Sequence, residues 1–374
     1  MFVRTNSFPM NWKRVTEEMA KEGVDALHVT SPPNLLYCLG FKLETESHLV
    51  LPIDGEPVYL VSPLDFQMAS DFMEGSGVRL EKMDGAKPQC SVVAQLLVEA
   101  RGKSEGKKIG FEQDFLPVSK YEALKGALEK ERGQVELVGA QEVLTRARVR
   151  KTPEEVENIR KACQIVDRVL ELAFDQLEPG TTERELAAEL EYNMRKLGGE
   201  RAGFETIVAS GHRSWYPHGT SSDKKIEEGD VVTVDLGVVY RGYHSDTTRT
   251  RVLGKPDPKV AEVVNQVNEA QRLGVKAVKP GVPAREVDEA CRGYFRNLGR
   301  DKYFIHGTGH GVGVEIHESP RIAASSTDVL EPGMVFTVEP GLYLPGVGGA
   351  RTEDVVHVTE NGAEVLTLFP IVDY

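Results

Sequence analysis

The stretch Ile226-Glu-Glu-Gly-Asp-Val-Val-Thr-Val-Asp-Leu-Gly237 has a second version in Leu330-Glu-Pro-Gly-Met-Val-Phe-Thr-Val-Glu-Pro-Gly341. Six of the twelve positions are identical, including the central Thr-Val and the final glycine. A glycine turn followed by an apolar run of this length predicts a buried β-strand in each. A second pair stands upstream in the same order. Residues 177–198 (LEPGTTERELAAELEYNMRKLG) and 278–299 (VKPGVPAREVDEACRGYFRNLG) share Pro-Gly, Arg-Glu and a terminal Arg-x-Leu-Gly. The two pairs are offset by 101 and 104 residues, which predicts a duplicated domain. Each half offers a Pro-Gly turn, a capped helix and a later strand, with a cleft expected between the halves.

Each duplicated strand ends in an acid, Asp235 in one half and Glu339 in the other. A second acid follows 11 residues on in the first half, Asp246, and 14 residues on in the second, Glu353. Taken alone, a Val-Asp-Leu-Gly would read as a surface acid beside a loop. If the halves face each other, four carboxylates converge, and their mutual repulsion calls for positive charge. Two divalent cations would balance it. The segment His306-Gly-Thr-Gly-His310-Gly-Val-Gly-Val-Glu-Ile-His317 interleaves three histidines with glycine. His306 and His310 have the four-residue spacing of a zinc-binding helix, but glycines at 307, 309, 311 and 313 predict an extended or looped backbone instead. One histidine with four carboxylates is a hard, oxygen-rich ligand set. It favours Mn²⁺ or Co²⁺, with Zn²⁺ as the remaining choice.

Upstream of the duplication, helix-like and strand-like segments alternate. Helices are expected over 11–22, 92–100 and 120–129, and strands over 26–30, 48–52, 57–61, 108–111 and 135–138. That alternation predicts a compact α/β domain. The basic run Arg146-Ala-Arg-Val-Arg-Lys151 reads as a hinge, and Thr152-Pro153-Glu154-Glu155 as a capping box opening a long helix to about Leu177. The expected domains are residues 1–147 and 148–374.

A net charge of −13 speaks against nucleic acid as a partner, which would need an electropositive footprint. No apolar run approaches the ~18 residues of a membrane span, and the N-terminal stretch has no signal-peptide core. Four cysteines without CxxC spacing read as free thiols, and a cytoplasmic location is expected. Trp215, Tyr216 and Tyr343 read equally well as pocket lining or packing. Gly346–Gly349 reads as a turn, and Arg249 as a partner for nearby acids.

Together these blocks resemble the pita-bread metallopeptidases, in the branch that holds prolidase and aminopeptidase P. The blocks are residues 306–318, 235–250, 338–341 and 349–356, with 34–41 resembling the creatinase-type N-terminal domain. The resemblance implies an α/β creatinase-like domain followed by an α+β pita-bread catalytic domain with internal pseudo-twofold duplication. It implies Asp235, Asp246, His310, Glu339 and Glu353 as ligands of two metal ions, with Asp246 and Glu353 bridging. His218, His306 and His317 fall at substrate and proton-handling positions, Glu339 doubles as proton shuttle, and Arg351 supports the carboxylates. The implied reaction is hydrolysis of an Xaa-Pro bond by a metal-bridging hydroxide, in a dipeptide or a longer proline-containing peptide, by a homodimer. Hydrolysis of a small non-peptide C–N bond, as in creatinase or ectoine hydrolase, and a non-catalytic peptide-binding module are the alternatives on the same scaffold.

Overall fold

The computed structural model describes residues 10–83, 85–100, 108–131 and 135–374, so the reading of the first nine residues lies outside it. The described chain divides into two compact units, Met1–Arg148 and Val149–Tyr374.

The first unit runs α1 (Trp12–Glu22), β1 (Ala26–Val29), α2 (Pro32–Leu39), β2 (His48–Pro52), β3 (Val58–Val61), α3 (Phe66–Met73), β4 (Arg79–Lys82), α4 (Gln89–Ala100), β5 (Lys108–Phe111), α5 (Val118–Leu128), β6 (Glu136–Gly139) and α6 (Gln141–Val149). Its strands form one mixed sheet in the order β4-β3-β2-β1-β5-β6. Val50, Leu60, Leu97, Ile109 and Leu128 fill the core between sheet and helices. Four elements escape a pattern reading, one of them α6, which begins ahead of the basic run. Helix α2 is apolar almost all round because six of its eight residues are buried, and α3 spans only eight residues. Strand β4, Arg-Leu-Glu-Lys, is a polar edge strand with little apolar alternation to detect.

The division between the two units falls inside the basic run at 146–151. Helix α6 continues to Val149. Arg148 is buried and donates to Asn34 Oδ1 at 2.7 Å, while Lys151 forms a buried ion pair with Glu318 at 2.6 Å. Arg148 and Lys151 are thus each bound within their own unit, whereas Arg146 and Arg150 stay exposed.

The second unit comprises α7 (Pro153–Gln176), α8 (Glu183–Lys196), β7 (Arg201–Ala202), β8 (Ile207–Ser210), β9 (Val231–Leu236), β10 (Val238–Tyr240), β11 (Tyr243–His244), β12 (Thr247–Val252), α9 (Pro258–Ala277), α10 (Ala284–Asn297), β13 (Gly309–Gly311), β14 (Glu318–Ile322), β15 (Val335–Val338), β16 (Gly341–Leu344), β17 (Gly348–Arg351), β18 (Asp354–Thr359) and β19 (Gly362–Val365). Thr152 caps α7 through both bonds of a capping box. The duplication is visible in detail. Gly180 N–H donates to Ile226 O and Gly281 N–H to Leu330 O, and isolated bridges join Thr182 to Lys225 and Pro283 to Val329. Each half thus ties its Pro-Gly turn to the entrance of its strand. One half packs α7 and α8 on the β12-β9-β8 sheet, the other α9 and α10 on the β14-β13-β15-β18-β19 sheet.

In the first unit His28 Nε2 and His48 Nδ1 lie 3.1 Å apart and buried, so one nitrogen donates to the other and both rings cannot be protonated. Burial pushes both imidazoles down, His48 to about 4, with His48 and Lys120 adding to the effect on His28. Both rings therefore stay neutral in the fold while unfolded histidine titrates near ~6.5. Their contribution is complete above that value and is lost as pH falls toward the depressed folded values. Urea midpoints measured from about pH 7 down to 4.5 should fall, and His48→Asn should lower the midpoint at pH 7 while flattening that fall.

Candidate metal centre

Strand register explains how acids far apart in sequence meet. In the β9–β12 pair Asp235 stands opposite Thr248, and Asp246 overhangs the last pair, Leu236–Thr247, by one residue. In the β15–β18 pair the last register is Val338–Asp354, so Glu339 and Glu353 overhang it together. The two hairpins are stitched at this end. Glu353 N–H donates to Thr248 O at 3.1 Å, and the Thr248 hydroxyl donates to Glu353 Oε2 at 2.7 Å.

The third contributor is β13. Gly309 and Gly311 pass so close to Thr337 O and Ser319 O that a Cβ at either would collide with backbone, which accounts for the glycine spacing. His310 Nδ1 lies 3.2 Å from Gly311 O, a contact that places the proton there and leaves Nε2 as a lone pair facing the acids. Nε2 stands 3.3 Å from Glu339 Oε1 and 3.5 Å from Asp246 Oδ2. One ligand atom each from Asp246, His310 and Glu353 lies within 4.8 Å of the others.

Electrostatics at this point demand a cation. Asp246, Glu353 and Glu339 are pushed upward, in each case first by burial. For Asp246 and Glu353 the next cause is repulsion from the neighbouring carboxylates. Asp235 Oδ1 and Glu353 Oε1 are buried without a hydrogen-bond partner. Burial lowers the proton affinity of His310 and keeps it neutral. Unpartnered carboxylate oxygens beside a neutral imidazole fit divalent metal, and the donor set matches hard ions.

Arg351, on β17, is the one guanidinium that reaches the cluster among the described residues, donating to Asp235 Oδ2 at 2.5 Å and to Thr248 Oγ1 at 3.0 Å. Burial opposes its charge, but Tyr343, Asp235 and the glutamates outweigh this and hold it protonated. Its Nη1 donates to the Tyr343 hydroxyl at 2.8 Å, which lies 3.0 Å from His306 Nε2. His317 packs edge-on to His310 at 4.3 Å between centroids, and both His317 and His218 are exposed. His218 sits on the loop after β8, both ends of which are held by the fully buried Glu183 through Ser210 and Ser222. Arg249, read as a partner for nearby acids, pairs with Asp354 at 2.6 Å, 105 residues away.

Two residues were undervalued by sequence reasoning. Tyr343 joins Arg351 to His306, and its only sequence signal is its place just beyond the Glu-Pro-Gly block. Arg321 on β14 is the register partner of His310, exposed and without a hydrogen bond or ion pair from its guanidinium among the described residues. Cross-strand partners share a face, so this cation lies beside the histidine. No linear spacing reveals it.

Residues 157–360 match the model of metallopeptidase family M24, and residues 12–150 that of the creatinase/prolidase N-terminal domain. The chain therefore belongs to metallopeptidase family M24, with the creatinase/prolidase N-terminal α/β domain ahead of a pita-bread catalytic domain. It is 39% identical to the Xaa-Pro dipeptidase of Pyrococcus furiosus over 95% of this chain and 97% of that protein. The structure of the Xaa-Pro dipeptidase from Bacillus anthracis superposes with a TM-score of 0.89 at 37% identity, covering 97% of this chain and 98% of that one. The X-Pro aminopeptidase from Thermotoga maritima superposes at 0.85 with 31% identity, over 96% and 99% of the two chains. A metallopeptidase family implies divalent metal, and the Asp246–His310–Glu353 cluster offers a site for it.

Because carboxylate repulsion opposes folding without metal, Glu353→Gln should raise the melting temperature of chelator-treated protein. A relief of ~1 kcal/mol corresponds to roughly 2–4 °C in a domain of this size. Added Mn²⁺ should stabilise the unaltered protein more than the variant, reversing their order in a thermal-shift assay.

Proposed function

We propose that the chain is an Xaa-Pro dipeptidase working with two divalent ions, Mn²⁺ or Co²⁺ before Zn²⁺, held by Asp235, Asp246, His310, Glu339 and Glu353. The observation that carries this reading is the cluster of Asp246, His310 and Glu353, with Glu339 beside the imidazole and Asp235 held by Arg351, and with buried carboxylate oxygens that lack a hydrogen-bond partner among the described residues. When bound, the ions supply Lewis-acid polarisation of the scissile carbonyl and acidify water.

The protein's own groups handle protons and position. Glu339, a buried carboxylate whose proton affinity is raised first by burial, accepts a proton from the attacking water and delivers it to the leaving nitrogen. Proline's nitrogen is a poor leaving group until protonated, so this delivery matters most for an Xaa-Pro bond. His317 or His218 donates a hydrogen bond to the carbonyl oxygen as it gains negative charge. Arg351 orients Asp235 through a charge-assisted hydrogen bond and, through Tyr343, fixes the ring of His306 at the substrate wall.

Arg321 favours the dipeptidase over an aminopeptidase acting on longer peptides, because an exposed cation beside His310 suits the free carboxylate of a dipeptide. The same reading places the domains at 1–147 and 148–374 and the enzyme in the cytoplasm as a homodimer. All four cysteines are free thiols, and no helix among the described residues is long and apolar enough to cross a membrane.

Dialysis against a chelator should abolish hydrolysis of Xaa-Pro dipeptides, and Mn²⁺ or Co²⁺ should restore it. Full turnover by protein shown to be metal-free would defeat the proposal. Arg321→Met should raise KM for an Xaa-Pro dipeptide about tenfold or more while leaving an Xaa-Pro-Xaa tripeptide nearly unaffected. Better turnover of the tripeptide by the unaltered enzyme would favour the aminopeptidase instead.

A further inference from the structure

Helix α10 carries a buried charge that its packing does not need. Val287, Cys291 and Phe295 fill its inward face, yet Asp288 is fully buried among them. A carboxylate in that position is costly unless it is paired, and an apolar residue would serve packing better. In the duplicated helix α8 the positions offset by 101 residues from Asp288 and Arg292 are Ala187 and Glu191, so the pair is peculiar to the second half.

Asp288 accepts two bonds from Arg292 one helical turn away, Nε to Oδ2 at 2.9 Å and Nη2 to Oδ1 at 3.1 Å. It also accepts from the Thr308 hydroxyl at 2.9 Å. The outer edge of the guanidinium grips the loop before β13, with Nη1 donating to Phe304 O at 2.9 Å and Nη2 to His306 O at 2.8 Å. Its plane stacks over the Phe304 ring, 4.3 Å from the centroid, and that ring meets His306 edge-on at 5.0 Å. Residues 304, 306 and 308 are thus anchored in alternation, as an extended backbone allows. On the other side His306 Nε2 meets the Tyr343 hydroxyl, and Thr308 O accepts the N–H of Glu339 at 2.8 Å.

We propose that Asp288 and Arg292 are positioning residues that clamp the 304–308 backbone to α10 and thereby hold His306 in its working orientation. The inference rests on the peptidase reading for what His306 does and on the hydrogen bonds alone for the clamp itself. Lysine cannot replace this arginine, because one ammonium cannot pair with Asp288 and span two carbonyls in a fixed plane.

The test is a double-mutant cycle on the metal-loaded enzyme with an Xaa-Pro dipeptide, using Arg292→Met, Arg292→Lys, His306→Ala and the combination of Arg292→Met with His306→Ala. Displacement of a positioned group predicts a loss in kcat of about 10- to 100-fold for Arg292→Met, with KM and bound metal close to the unaltered values. In the His306→Ala background the same substitution should cost less than about twofold, since the group it positions is gone. Arg292→Lys, which retains the charge, should recover little of the lost kcat. Equal losses in both backgrounds, or a kcat within about twofold of the unaltered enzyme, would overturn the assignment.

Hydrogen exchange on the metal-free protein supplies a readout independent of activity. Arg292→Met should speed exchange in peptides covering 303–309 while helix α7 stays protected, and unchanged exchange there would refute the clamp. If the unaltered, metal-loaded enzyme fails to cleave any Xaa-Pro peptide, the peptidase reading falls and the exchange result alone decides on the clamp.

Discussion

Repulsion among buried carboxylates is the constraint around which the catalytic unit is arranged. Asp246, Glu339 and Glu353 are all driven toward their protonated forms by burial, and their neighbours add to this for Asp246 and Glu353. Asp235 takes Arg351 as a partner, and the oxygens left without one among the described residues ask for metal. A core of this kind stabilises nothing by itself. The strands that carry it must be held by packing elsewhere, which the two apolar clusters beneath the paired helices supply.

Duplication solves the geometric half of this problem. Two copies of one helix-and-strand unit each present an acid at a strand end and another just before the antiparallel partner of that strand, so facing copies deliver four acids with little new invention. What differs between the copies is where chemistry is served. Helix α8 uses Glu183 at its first turn to close the loop bearing His218, whereas α10 uses Asp288 and Arg292 to grip the segment bearing His306. Equivalent helices thus support two histidine-bearing segments from different positions and by different means.

Most of the architecture was legible from pattern. The helices opened by Thr152 and Thr182, the strands at 231–236 and 335–338, and the non-helical backbone of the glycine-rich histidine segment follow from capping chemistry, apolar runs and glycine spacing. Short or weakly periodic elements were not legible, namely α2, α3, α6 and the polar edge strand β4. In the basic run at 146–151 the pattern shows the charges but not their fate, since Arg148 and Lys151 are consumed by Asn34 and Glu318 while Arg146 and Arg150 stay exposed.

The chain order alone determined that there are two halves, which acids recur within them, and that the glycine-rich backbone around His310 is not helical. These are matters of local backbone and repeated spelling. Tertiary structure decided which carboxylate takes the guanidinium, which oxygens are left without a donor, and that Tyr343 and Arg292 meet His306 while Arg321 is the register partner of His310. Those relations depend on strand register and helix facing, and neither leaves a periodic trace in a linear sequence.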